Sequence, residues 1–186
     1  MRSRLTVQYR RKREGRTNYK KRLIYLKSKT PRLVVRRTNK QLLLQIIEYA
    51  ADGDKIICSV NSGALKKMGW QYSCNNMPAC YLAGLVLGKK AKAKHVKEAI
   101  LDAGLQTHVP GSRIYATVKG VVDSGIMVPV SAEVFPSNER LSGSHIASYY
   151  SLDKSNTQFS TYRAKKLDAA KMNKDFEEFK KKIASN

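Results

Sequence analysis

The sequence predicts an α/β domain in which helices cover a mixed β-sheet, with a basic arm before it and a largely helical extension after it. Three observations carry this. Short apolar runs separated by turn triplets fill residues 33–60. After Val60 the apolar spacing changes from a period of two to helical spacing. The charge is segregated: residues 1–40 hold 16 of the 36 Lys and Arg beside a single acid, Glu14, whereas residues 41–152 hold 11 basic residues against 8 acids, and residues 153–186 hold 9 against 5. The boundaries that follow are a basic arm over 1–30, an α/β core over 31–150 and a C-terminal extension over 151–186.

Each element has a local reason. In the arm, Leu23, Ile24 and Leu26 suffice to dock one short helix; the rest is too polar to bury a core, so the arm is expected to order on its ligand. Leu33-Val34-Val35 is a β-branched run flanked by Arg32 and Arg36-Arg37, and Thr38-Asn39-Lys40 is turn-like. Leu42 to Tyr49 alternates, with Leu42, Leu44 and Ile46 on one face and Leu43 and Ile47 on the other. Asp52-Gly53-Asp54 reads as a turn before a third strand over 55–60, and the three strands form an antiparallel meander. Ser62 starts a short helix that Gly69 stops. Asn75 or Asn76 caps a longer helix with Pro78 in its first turn and Met77, Leu82, Leu85 and Val86 as its apolar stripe. Ala99-Ile100-Leu101 is a strand, and Ser112 caps a helix with Ile114, Val118, Val121 and Val122 on one side. A loop begins at Pro136, and one helix is expected from about 163 to 183.

Composition narrows the chemistry. A net charge of +22 collects polyanions, and 42% hydrophobic residues exclude a disordered basic tail. Cys58, Cys74 and Cys80 form no disulfide framework, which suits a reducing cytoplasm; no apolar run reaches membrane-span length, and no secretory leader is recognisable. Arg10-Arg11-Lys12-Arg13, Arg16, Lys20-Lys21-Arg22, Lys27 and Lys29, interleaved with Tyr9, Tyr19 and Tyr25, suit RNA: the cations neutralise phosphates and the rings stack on unpaired bases. A solvated charge run would carry more interspersed carboxylates. Arg32, Arg36 and Arg37 lie on what reads as an edge hairpin, where they either contact RNA or protect the edge. Lys89–Lys97 is either a phosphate contact or a solvated helix end. Gly111-Ser112-Arg113 is either a phosphate seat or an ordinary cap. Tyr149, Tyr150, Phe159 and Tyr162 flank a Ser/Asn stretch that packs on RNA, a partner or the chain itself.

Enzymatic constellations are weak. Asp52, Asp54, Asp102 and Asp123 are the candidates for a metal-dependent nuclease, but their turn and element-end positions are not expected to converge. Cys74 and Cys80 lack a second pair at zinc spacing, and no nucleophile elbow, P-loop or dinucleotide fingerprint occurs. The reading is therefore no enzyme, no cofactor, no metal, no small-molecule substrate and no membrane. A DNA-compacting architectural protein is the other alternative.

The stretch Tyr9-Arg10-Arg11-Lys12-Arg13-Glu14-Gly15-Arg16-Thr17-Asn18-Tyr19, then Arg22-Leu23 and Lys29-Thr30-Pro31-Arg32-Leu33-Val34-Val35-Arg36, resembles the archaeal and eukaryotic form of large-subunit ribosomal protein eighteen. Residues 136–146, Pro-Ser-Asn-Glu-Arg-Leu-Ser-Gly-Ser-His-Ile, resemble the archaeal pattern, and Gly111-Ser112-Arg113 with Lys119 is similar to a helix start of the bacterial members. The resemblance spans residues 5–150. It implies a three-layer α/β domain with a mixed sheet and no enzymatic activity. It further implies a cytoplasmic protein of the large subunit that binds 5S rRNA in the central protuberance, touches large-subunit rRNA and lies near neighbouring proteins including ribosomal protein five. The residues matching the RNA-facing arm and hairpin are Arg10, Arg11, Lys12, Arg13, Arg16, Asn18, Tyr19, Arg22, Arg32, Arg36 and Arg37. Tyr9, Lys20, Lys21, Asn39, Lys40 and Arg113 complete the expected RNA-binding set.

Overall fold

A computed structural model describes residues 6–153 and 158–185. The meander forms as expected: β1 (Arg32–Arg37), β2 (Leu42–Glu48) and β3 (Lys55–Asn61) pair antiparallel, and β4 (Ile100–Asp102) adds to β1 in parallel. The order β3-β2-β1-β4 makes a mixed sheet. It also places β1 inside the sheet, so the hairpin that carries Arg32, Arg36 and Arg37 is not an edge hairpin. The short β4, contributed from far along the chain, covers that side.

One sheet face is apolar throughout. Leu33, Val35, Leu42, Leu44, Ile46, Cys58 and Val60 are all buried there. The register shifts between Ile46 and Ile47, so both turn out buried rather than alternating. Against this face lies α3 (Met77–Ala93), started by Asn76, whose side chain accepts the Ala79 N–H at 3.0 Å. Beside it runs α4 (Arg113–Asp123).

Two glycines set how close these helices come. A Cβ on Gly84 would sit 2.2 Å from the Thr117 carbonyl oxygen, and one on Gly120 would sit 2.2 Å from that of Tyr81. The backbones therefore touch directly. Gly88 opposes Val121 and Ser124, so contacts advance in the same direction on both helices. The helices are parallel, and extrapolating this spacing back to Met77 and Arg113 puts their N-termini at one end.

The C-terminal region departs from expectation. The segment after Pro136 forms α5 (Asn138–Ser142) and α6 (Ser144–Leu152), joined at Gly143, whose φ is 88°. A Cβ there would lie 2.9 Å from the Met172 sulfur and 3.0 Å from Pro78, so the junction is seated on the first turn of α3. The single helix expected over 163–183 is split into α7 (Ser160–Ala164), a 3-10 turn at Ala169–Lys171 and α8 (Met172–Ser185). Lys166, with φ of 53°, breaks it, and Asp168 accepts the Ala170 N–H to start the 3-10 turn. Met172, Phe176, Phe179 and Ile183 are buried in the same core as α3. Phe159 stacks with Tyr149, Tyr150 and Tyr162, and Tyr162 meets Tyr72, so these rings pack on the chain's own domain. The Ser/Asn stretch at 154–157 lies outside the described residues.

On the opposite sheet face lies the arm, which the sequence suggested would need its ligand to order. It forms α1 (Arg10–Arg13) and α2 (Tyr19–Lys27). Of the three residues expected to dock it, Leu23 and Ile24 are 57% and 66% exposed and Leu26 is half-buried. The half-buried Tyr25 and Leu26 face inward, and Arg22 adds a polar contact to Asp54 at 3.0 Å.

Candidate nucleic-acid interface

The arm's local geometry follows from three residues. Gly15 turns the chain after α1 with φ of 64°. Asn18 starts α2 by accepting the Lys21 N–H at 3.1 Å. Glu14, the arm's one acid, pairs with Arg10 at 3.3 Å and Arg16 at 3.1 Å, both in solvent where such pairs contribute little. Arg11 donates to the Thr17 hydroxyl at 2.9 Å. Lys12, Arg13, Lys20 and Lys21 are exposed with no carboxylate partner among the described residues. Tyr9 and Tyr19 meet each other, with ring centroids 5.2 Å apart and planes tilted by 30°. Tyr9 is 72% exposed, so the pair presents an aromatic surface beside the cations.

Beneath the arm, five charged side chains form one chain of ion pairs. Arg22 reaches Asp54 at 3.0 Å, and Arg32 reaches the other Asp54 oxygen at 2.6 Å. Arg32 also reaches Asp102 at 3.0 Å, and Arg36 reaches the second Asp102 oxygen at 3.1 Å. The strand register explains the inner half. Val34 faces Asp102 across the β1–β4 pair, which makes Arg32 and Arg36 the diagonal neighbours of Asp102. Arg36 additionally donates to the Asp102 carbonyl at 2.6 Å, and the Gly104 N–H donates to the Asp102 carboxylate at 2.9 Å. Partial burial tends to raise the Asp54 carboxyl, but the hydrogen bonds and charges of Arg22 and Arg32 outweigh it and hold the group below its ordinary value. Burial pushes the nearby Tyr25 hydroxyl up, and the Asp102 charge adds to that.

This network corrects two expectations. Asp54 and Asp102 do converge, but on arginines and not on a metal-binding void. Arg32, expected to face RNA, has only 4% of its side chain exposed and is enclosed by two carboxylates. It organises the surface from below. Arg22 and Arg36 are partly exposed, at 32% and 41%, and keep an edge toward solvent. With Arg11, Arg16, Asn18, Tyr19 and Lys21 they line a polar cavity of about 450 Å³ between arm and sheet.

The hairpin turn adjoins this surface. Thr38 closes it, its N–H and hydroxyl both donating to the Gln41 carbonyl at 2.9 and 2.7 Å. Asn75 donates to the carbonyls of Thr38 and Asn39 at 3.3 and 2.6 Å, and Arg113 donates to the Asn75 carbonyl at 3.0 Å. Arg113 thus braces the hairpin through Asn75. Arg37, Asn39 and Lys40 are exposed. Ser112 occupies the N-cap position of α4, but its hydroxyl makes no capping bond.

The Lys89–Lys97 cluster is placed elsewhere. Lys89 donates to the carbonyls of Ile183 and Ala184 at the end of α8, and Lys94 donates to the Ile57 carbonyl. These lysines tie elements together. Asp54 and Asp102 stood out in the sequence only as metal candidates; their role as partners of Arg22, Arg32 and Arg36 was missed. An available signal was the alternation of Arg32 and Arg36 on the sheet face opposite the core, where enclosing either guanidinium calls for a carboxylate.

A family model described as "Ribosomal large subunit proteins 60S L5, and 50S L18" matches residues 3–98. The large ribosomal subunit protein uL18 of Korarchaeum cryptofilum is 43% identical over 189 aligned residues, covering 98% of this chain and 95% of that protein.

Proposed function

The chain belongs to the family of ribosomal large-subunit proteins that takes in 60S L5 and 50S L18, and from that premise we propose that it binds 5S rRNA and attaches it to large-subunit rRNA in the central protuberance. Membership makes it a structural protein of the large ribosomal subunit, with rRNA and other ribosomal proteins as partners. The 5S assignment, the central protuberance and a neighbouring ribosomal protein five are the finer steps of the proposal. The observation that carries it is the exposed cation band Arg10–Arg13, Arg16, Lys20 and Lys21, held against a rigid sheet by Arg22.

In this reading residues 1–30 are a binding arm on a core over 31–150, extended by 151–186. The cations contact successive phosphates and release counterions. Tyr9 and Tyr19 separate to stack on unpaired bases, or offer their shared surface to one. Arg37, Asn39 and Lys40 carry the contact onto the hairpin turn. Arg32 acts from beneath, fixing Asp54 and Asp102 so that Arg22 and Arg36 point outward in a set geometry.

Competition tests this. Labelled 5S rRNA bound to the full chain is challenged with unlabelled 5S rRNA, an unrelated structured RNA of equal length, and duplex DNA, at physiological salt. The proposal expects 5S rRNA to compete at least about tenfold better than the others, a threshold set well below the about 10³ or more that usually separates specific from non-specific binding. Equal competition by duplex DNA contradicts it and favours an architectural DNA protein.

A further inference from the structure

A second cationic groove lies beyond the hairpin, away from the arm. Because α3 and α4 are parallel with level starts, their N-termini open into the same space, and both macrodipoles point their positive ends there. The groove encloses about 390 Å³, and none of the residues lining it is acidic. Arg37 enters from β1, Arg113 from α4, and Arg140 and His145 from α5 and α6. Gly143 sets the last two there: its φ of 88° disfavours any side chain, and a Cβ would press on Pro78 at the start of α3 and on Met172 at the start of α8.

Three further observations point to an anion. Arg37, Arg113 and Arg140 have no carboxylate partner among the described residues. The Ser112 hydroxyl lines the groove, is shielded from solvent and has no hydrogen-bond partner, while no side chain caps the first N–H groups of α4. His145 and Arg140 are close enough that, after burial, the Arg140 charge is the next cause lowering the His145 pKa. The Arg140 charge therefore disfavours a second cation on His145, and no residue of opposite sign lines the groove to relieve it.

We propose that this groove is a second RNA-phosphate site, in which Arg140 and His145 join Arg37, Arg113 and the α4 N-terminus around backbone phosphates. The proposal rests on the reading that the chain binds ribosomal RNA, and it adds a contact from α5 and α6 that the arm and hairpin do not include. A phosphate seated there accepts from the Ser112 hydroxyl and the free N–H groups of α4, and its charge raises the His145 pKa. Two contacts, arm and groove, on opposite sides of the hairpin would fix the orientation of an RNA helix and not just its attachment.

The test uses the full chain with two probes, 5S rRNA and poly(U), and two readouts. For Arg140→Gln, binding to both probes is expected to weaken roughly threefold to tenfold, and the slope of log affinity against log salt to shrink by about 0.7–0.9, the loss of one phosphate contact. In the wild type, the His145 imidazole followed by NMR is expected to titrate at higher pH when either RNA is bound. Unchanged affinity and slope in Arg140→Gln, with an unmoved His145, overturn the groove, whether or not 5S rRNA is preferred. A wild type that shows no preference for 5S rRNA over poly(U) overturns the 5S assignment alone, since the Arg140→Gln loss still reads the groove. A thermal melt of Arg140→Gln matching the wild type assigns the loss to contact and not to folding.

Discussion

Asp54→Asn isolates the link that ties the arm to the sheet. The substitution keeps shape and removes charge. Asp54 accepts from Arg22 at 3.0 Å and from Arg32 at 2.6 Å, one guanidinium on each oxygen. An asparagine keeps one acceptor, and its NH₂ group then faces the second guanidinium donor to donor. Hydrogen bonds to charged groups contribute about 1.5–3 kcal/mol each, and a buried donor left unpaired adds to the loss. Arg32 retains Asp102, so the cost stays below that of an isolated buried charge. The expected loss is about 2–3 kcal/mol, and for a chain of this size that lowers the melting temperature by roughly 5–10 °C. The pH dependence has a definite sign. Because the folded state holds the Asp54 carboxyl below its ordinary value, its contribution is complete above about pH 4 and fades as pH falls through the depressed value. The gap between wild type and variant, measured by urea titration, is therefore flat from pH 5 to 7 and closes in acid. Amide exchange in α2 rises in the variant at neutral pH. Asp52→Asn, at an exposed turn position, changes neither. An Asp54→Asn protein as stable as wild type at pH 7, with α2 equally protected, refutes the role given to this network.

Other outcomes follow from the packing. Gly84→Ala forces a methyl to 2.2 Å from a carbonyl oxygen, so the α3–α4 pair must separate, with a loss of about 1–3 kcal/mol or more in a thermal melt. Tyr72→Phe removes a hydroxyl that donates to Asp175 at 2.6 Å and shares a 3.1 Å contact with the Asp168 carbonyl; amide exchange in 168–185 rises, and stability falls by about 1–2 kcal/mol. Burial pushes the Cys80 thiol up to about 12 and raises those of Cys58 and Cys74, so thiol reagents at pH 8 label the native chain slowly and the urea-unfolded chain fully.

Much of this was legible in the sequence because the strands and the two long helices follow local rules. A β-branched run gave β1, alternation gave β2, and the turn at Asp52–Asp54 placed β3, while Asn75 or Asn76 with Pro78 marked the start of α3, where the structure selects Asn76. What escaped depended on distant pairing. β4 is three residues long, and only its partner β1 explains why the hairpin is interior. Arg22 ties the arm to Asp54, 32 positions away, while Leu23 and Ile24 are exposed and only Tyr25 and Leu26 are half-buried. Arg32 looked like an RNA contact because a run of arginines on a short strand gives no sign of which face is enclosed. Lys166 in a left-handed conformation broke a helix that amphipathic spacing alone would have continued. The family resemblance was readable because its motifs occur in order along the arm, hairpin and α5 region.

The central claim is that the arm's exposed cations do the binding while Arg22, Arg32 and Arg36 hold the platform. It is tested most directly by the salt dependence of 5S rRNA affinity for the full chain and for a variant with Arg11, Lys12, Arg13 and Lys20 all replaced by Gln. Among the described residues these side chains make no ion pair, and Arg11 gives up only an exposed bond to Thr17, so the variant is expected to melt close to the wild type. The account predicts a slope of log affinity against log salt that is smaller by about 2–4, with affinity lowered at least a hundredfold at physiological salt. An unchanged slope and affinity in a normally folded variant contradict it.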